Sequence, residues 1–110
     1  MTSSWKKNLM RSIKTHEGDY TSNFFSLSSI SAENPSQPRV RTVVFRGFRD
    51  DKIVFITGSR DKKIRDFNKN PNTEIVWYFS KTREQYRFVI FIYIILKASL
   101  LIEGCIILVE

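Results

Sequence analysis

The sequence predicts a mainly β fold with flanking helices, arranged as a small β-barrel. Three observations predict it: short runs rich in β-branched and aromatic residues, polar breaks of turn length between them, and two stretches with helical spacing. The chain has 110 residues, of which 42% are hydrophobic, 26% charged and 14% aromatic. Such a composition suits one globular domain and excludes a disordered, collagen-like or low-complexity chain.

The first residues have the spacing of an amphipathic helix. Trp5, Leu9 and Ile13 recur every four residues, Ser3 or Ser4 is placed to cap the start, and Gly18 is placed to stop it. The partly alternating run Phe24–Ile30 reads as a strand, and the segment from Ser31 to Pro38 as a loop. Val40–Arg46 is the densest β signal, and alternation puts Arg41, Val43 and Phe45 on one face. Arg49–Lys52 is a polar break of hairpin length, with Ile53–Thr57 as the returning strand. Ser59 or Asp61 is placed to cap a second helix that buries Ile64 and Phe67 and ends at Asn70-Pro71. Glu74–Phe79 reads as a strand in which at least two of Trp77, Tyr78 and Phe79 pack in the core. Another strand is expected to begin near Gln85.

From Phe88 the composition changes. Seven of the last 23 residues are isoleucine, against six in the first 87, and Phe88–Leu96 is apolar throughout. Three readings stand for residues 88–110: one or two further, continuously buried barrel strands, a membrane anchor, or residues translated from sequence outside the normal transcript. The first is the plainest, because the run is short for a membrane span, which takes about 20 residues. Residues 1–87 are read as the domain proper.

The chemistry of the side chains narrows the function. One cysteine, Cys105, excludes an internal disulfide framework, and one histidine, His16, argues against a His/Cys zinc site. No metal site is expected. His16 is read as a surface residue near a helix end, and Cys105 as unreactive. No apolar signal core follows the first residues, so the expected address is intracellular, in the cytoplasm. Eighteen Lys and Arg against eleven Asp and Glu give a net charge of +7. The basic residues do not form one block; Arg39, Arg41, Arg46 and Arg49 with Arg60, Lys62, Lys63, Arg65 and Lys69 suit a compact phosphate pocket, and no nucleic-acid-binding motif accompanies the charge. Neither nucleic acid nor a membrane is the expected partner.

Four segments in order then carry a resemblance. They are Gln37–Phe48, Phe55-Ile56-Thr57 followed by Ser59–Lys63, Asn70-Pro71 with Glu74 and Trp77–Phe79, and Thr82-Arg83-Glu84-Gln85-Tyr86-Arg87. Together they resemble the pyridoxamine 5′-phosphate oxidase-like family of FMN-binding split β-barrel proteins, most of all its Alr4036-type branch. The resemblance covers the stretch from Trp5 to Arg87, which would be the first part of a longer family member, so the barrel here reads as truncated.

The resemblance implies a homodimer with FMN in a groove at the subunit interface, oxidoreductase chemistry on a small molecule, and a set of cofactor-binding positions. Arg41, Thr42, Val43, Val44 and Arg46 would form the cofactor strand, with Arg41 at the FMN phosphate. Ile56 and Thr57 would lie along the flavin, Lys62 and Lys63 would approach the phosphate, and Gln85 would bond the flavin. Asp61 stands where many members of the family carry serine, and Ser28 and Ser29 replace its usual Ala-Thr. A non-catalytic flavin-binding module on the same barrel is the alternative, and a basic nucleic-acid- or membrane-associated protein a further one. The residue types agree with a flavin site. An arginine fork and a lysine suit a phosphate dianion, and the first turn of a helix favours an anion. A glutamine amide offers both a donor and an acceptor to the imide edge of an isoalloxazine.

Overall fold

A computed structural model describes residues 4–58, 62–96 and 104–109, with Gly58, Ile95, Leu96 and 104–109 described by their backbone. Helix α1 (Ser4–Thr15) forms over the four-residue spacing of Trp5, Leu9 and Ile13. Leu9 is fully buried, while Trp5 and Ile13 pack against the core edge. After Gly18, whose φ of 96° needs no side chain to be tolerated, one 3-10 turn (Tyr20–Asn23) leads into the barrel. Asp19 caps that turn by accepting from the Thr21 hydroxyl and backbone N–H, and these bonds hold its carboxyl below the usual range.

Among the described residues seven strands follow: β1 (Phe24–Ile30), β2 (Pro38–Val44), β3 (Phe48–Arg49), β4 (Lys52–Gly58), β5 (Asn72–Phe79), β6 (Glu84–Leu96) and β7 (Gly104–Val109). Helix α2 (Lys62–Lys69) lies between β4 and β5. The sheet order is β2-β1-β5-β6-β7-β4-β3, and every pairing is antiparallel. The two edge strands, β2 and β3, are consecutive in the chain. The sheet therefore curls back on itself, and each strand gains an inner and an outer face.

Alternation decides which side chains go in. In β1, Phe25, Leu27 and Ser29 are buried; in β5, Thr73, Ile75, Trp77 and Phe79 are, while Tyr78 faces out. Trp77 anchors the interior. Its ring stacks on Phe25 and Phe79 at 5.0 and 5.6 Å between centroids, and its indole N–H donates to the Ser22 carbonyl at 2.8 Å.

The structure differs from the sequence reading in four places. The strand from Val40 does not form the expected hairpin with Ile53–Thr57. Its ladder partner is β1, in register from Phe24–Val44 to Ile30–Pro38. Gly47, at φ 107°, bends the chain out of that ladder, and only then does the hairpin form, between β3 and β4. Arg46 N–H donates to the Val54 carbonyl and Val54 N–H to the Gly47 carbonyl, which fixes the bend.

His16 is the second difference, being buried rather than on the surface. Its Nδ1 lies 2.7 Å from the Ser12 carbonyl and its ring 5.0 Å from that of Phe79. The third concerns β6, which runs through Arg87 and Phe88 without a break but is not buried on both faces. Ile92 points in, whereas Val89, Phe91 and Tyr93 are exposed. The fourth is Ser4, which is the first residue of α1 rather than its cap. The proposed caps Ser3, Ser59 and Asp61 lie outside the described residues, as does the side chain of Cys105. Among the described residues, no helix is long and apolar enough to cross a membrane.

A polar clasp joins α1 to the β5–β6 hairpin. Ser12 donates to Glu84 at 2.8 Å, so the hydroxyl of Tyr86, 2.7 Å away, is the donor to Ser12. Thr82 also donates to Glu84, and its bond, followed by that of Ser12, lowers the glutamate pKa.

Two predictions follow from this packing. Leu27→Ala, at a fully buried site, lowers stability by about 2–5 kcal/mol, whereas Val40→Ala on the exposed face changes it by less than about 0.5 kcal/mol. Chemical denaturation of both variants checks the contrast, and equal losses would contradict the assigned faces. Glu84 is held charged by native hydrogen bonds, so its contribution is present above the ordinary glutamate value and fades as pH falls through its lower native value. Glu84→Gln should therefore melt below wild type at neutral pH, with the gap closing as the pH falls below the ordinary glutamate value of 4.5. A gap that is constant with pH would show that the clasp does not depend on charge.

Candidate functional site

The inner face of β2 carries two arginines. Alternation that buries Val43 turns Arg39 and Arg41 in the same direction, towards the face of α2. That helix brings a matching face of its own. Lys63 and Asp66, three residues apart, lie beside Ile64 and Phe67 and are both buried.

Asp66 is the centre of the arrangement. Its Oδ1 accepts from the Ala32 N–H at 2.8 Å, and its Oδ2 accepts from the Ser29 hydroxyl at 3.3 Å. Arg39 Nε lies 3.2 Å from Oδ2, and Arg41 Nη2 lies 4.0 Å from it. The Arg39 Nε–H makes no hydrogen bond despite that distance, so this contact is Coulombic rather than directional. Arg41 is held more firmly, donating to the Leu27 carbonyl at 3.2 Å and to Ser29 Oγ at 2.8 Å. Lys63 donates to Thr57 Oγ1 at 2.9 Å, which ties the first turn of α2 to the end of β4. Arg41, Thr57 and Lys63 also engage groups besides these.

Arg41 meets α2 at Asp66, and Thr57 meets it at Lys63, so three of the positions singled out in the sequence lie against that helix. The others fall elsewhere. Val43 is in the core and Val44 is half-buried, so any role of these two is carried mainly by the backbone. Lys62, Arg46 and Ile56 have exposed side chains. Thr42 and Gln85 lie on the outer face of the sheet. Gln85 lines a shallow depression of about 430 Å³ with Ser26, Ser28, Val40, Glu74 and Arg87. Thr42 lines its neighbour of about 260 Å³, beside Ser26, Val76 and Tyr78. An ion pair at 3.0 Å between Arg87 and Glu74 crosses the first of these.

Sequence reasoning missed Asp66 and Ser29 as parts of the site. The signal for Asp66 was its position one helical turn after Lys63. Among the described residues, no group of three or more His, Cys, Asp or Glu side chains is placed to hold a metal ion.

A guanidinium on β2 and an ammonium on the first turn of α2 are donors that a phosphate takes. The residues present therefore fit the phosphate end of FMN. Arg41 and Lys63 would hold it, and Lys62 is exposed on the same first turn of the helix.

Comparison with known proteins assigns the family. Residues 2–95 match the family described as pyridoxamine 5′-phosphate oxidase, FMN-binding domain. Pyridoxine/pyridoxamine 5′-phosphate oxidase 2 of Arabidopsis thaliana is 38% identical over 85 residues, covering 76% of this chain and 42% of that protein. A pyridoxine/pyridoxamine 5′-phosphate oxidase of Deinococcus deserti is 30% identical over 63 residues, covering 57% of this chain and 29% of that one. The chain thus spans less than half the length of either relative. In fold, it is similar to a pyridoxamine 5′-phosphate oxidase-related, FMN-binding protein of Nostoc punctiforme. The TM-score is 0.89 at 19% identity, over 100% of this chain and 82% of that one. PhzG of Burkholderia lata, solved with tetrahydrophenazine-1-carboxylic acid, aligns with a TM-score of 0.74 at 16% identity, over 89% of this chain and 48% of that one. The chain belongs to the pyridoxamine 5′-phosphate oxidase family of FMN-binding split-barrel flavoproteins, and FMN is the cofactor of the domain it carries.

Proposed function

We propose that this chain is the FMN-holding part of a flavin-dependent oxidoreductase that works as a homodimer on a phosphorylated pyridoxine- or pyridoxamine-like substrate. The observation that carries the reading is that Arg41 and Lys63 both lie at α2, the first beside Asp66 and the second bonded to Thr57, in a chain 38% identical to an Arabidopsis protein named for that oxidation. Arg41 and Lys63 bind the flavin phosphate, and exposed Lys62 adds charge at the same helix turn. Thr57 keeps the Lys63 ammonium in place, while Ile56 lies along the flavin. Arg46 closes the cofactor strand.

Gln85 bonds the flavin from the outer face of the sheet. Its placement on that face, away from Arg41 and Lys63, favours a second copy of the chain as the source of this glutamine. FMN supplies the two-electron chemistry when bound, so the protein is required to bind and orient rather than to provide a nucleophile. A second reading is a flavin-binding module without turnover on the same barrel, because a fold does not by itself fix a function. The chain spans 42% of its Arabidopsis relative.

A flavin titration separates these readings. Quenching of FMN fluorescence by the purified chain should be saturable, and Arg41→Ala should weaken it about tenfold to a hundredfold, the effect of losing charge-assisted bonds. Absence of saturable quenching by folded wild-type protein, or an unchanged Arg41→Ala variant, would overturn the site. Oxidation of pyridoxamine 5′-phosphate by the loaded protein supports the oxidoreductase, and tight FMN binding without turnover supports the module.

A further inference from the structure

We infer that Asp66 is a positioning residue for the flavin phosphate, acting through the Ser29 hydroxyl to fix the guanidinium of Arg41. The inference rests on the reading of Arg41 as the phosphate ligand. Asp66 itself is buried at 3% exposure and lies 3.2 Å from Arg39 and 4.0 Å from Arg41.

The direction of the hydrogen bonds makes the case. Ser29 has one hydroxyl proton, and the carboxylate of Asp66 is its acceptor at 3.3 Å. With the proton committed there, a lone pair of the same oxygen faces Arg41 Nη2 and accepts from it at 2.8 Å. The chain of bonds runs from guanidinium to hydroxyl to carboxylate, and each bond polarises the next. The Leu27 carbonyl takes the other terminal nitrogen, so the guanidinium is held at two corners by β1, to which β2 is paired. Asp66 is in turn fixed by the Ala32 N–H and by the helix that carries Lys63. One carboxylate therefore sets the relation between the β2 arginine and the α2 lysine.

A competing role exists for a carboxylate beside a phosphate site, that of an internal anion which weakens binding of the dianion. The distances favour the relay. Asp66 is 4.0 Å from Arg41, a long ion pair, whereas the hydroxyl contact with that arginine is 2.8 Å.

Asp66→Asn separates the two. Asparagine can still accept from Ala32, but it presents an NH₂ donor to Ser29 or Arg39 and breaks the relay. Affinities for FMN and for riboflavin, which lacks the phosphate, are measured side by side by fluorescence quenching. The relay predicts a loss of about tenfold for FMN, the lower end of what outer partners of ligating groups contribute at metal sites, with riboflavin unchanged. Ser29→Ala, which keeps the charge of Asp66 and removes only the hydroxyl, should weaken FMN in the same direction. The double variant should then bind no worse than Asp66→Asn alone.

Equal losses for FMN and riboflavin in both variants would make the cluster merely structural and overturn the inference. Tighter FMN binding by Asp66→Asn with an unaltered Ser29→Ala would overturn it in favour of the competing anion. Should Asp66→Asn fail to fold, the Ser29→Ala pair of affinities decides alone, an unchanged FMN affinity counting against the relay. A wild-type protein that does not prefer FMN to riboflavin would instead refute Arg41 as the phosphate ligand, a failure distinguishable from that of the relay.

Discussion

Two arginines on the inner face of a barrel strand have to be met by an anion, and the carboxylate of Asp66 meets them. An apolar interior without such a partner would force both guanidiniums out to water, since a buried charge is stable only when it is paired and hydrogen-bonded. Meeting that requirement orders several distant pieces of chain at once. Helix α2 is docked on β1 and β2, and the loop after β1 is fastened through the Ala32 N–H and the contact of Arg39 with Ser31. Lys63 is thereby held at the end of β4. The barrel wall and the proposed phosphate site are held together by the same few bonds.

That arrangement also explains the division of labour across the sheet. Inner positions supply aromatic packing around Trp77 and, at one end, the cationic cluster. Outer positions of β1, β2, β5 and β6 stay accessible and carry Thr42 and Gln85 in shallow depressions. Exposed Val40, Tyr78, Val89 and Phe91 lie on the same side of the sheet. Such a face, partly apolar and partly polar, is consistent with a dimer in which each copy completes the flavin site of the other. The residues of the sequence motif then need not meet within one chain.

Much of the fold was legible because period-two alternation is a local signal. The inner and outer sets of β1, β2 and β5 follow directly from it, as does the burial of Ile64 and Phe67 in α2. The partner of β2 was not legible. A polar break at Arg49–Lys52 implies a hairpin, but only the bend at Gly47 decides how far back that hairpin extends. His16 was misread although it continues the face of Leu9 and Ile13 at helical spacing, because residue type was given more weight than position. In β6, residue type suggested burial on both sides, yet strand geometry leaves Val89 in the open. For the site, Arg41 and Lys63 could be named from a motif. Asp66 and Ser29 could not, since their importance lies in contacts between elements 37 residues apart in sequence.

The central claim is that the cluster at β2 and the start of α2 receives the flavin phosphate. A crystal structure of the FMN complex tests it most directly. The account predicts a phosphate within hydrogen-bonding distance of Arg41 and Lys63, with Ser29 and Asp66 still bonded behind the arginine. A phosphate seated instead on the outer face, beside Gln85 and Arg87, would contradict it.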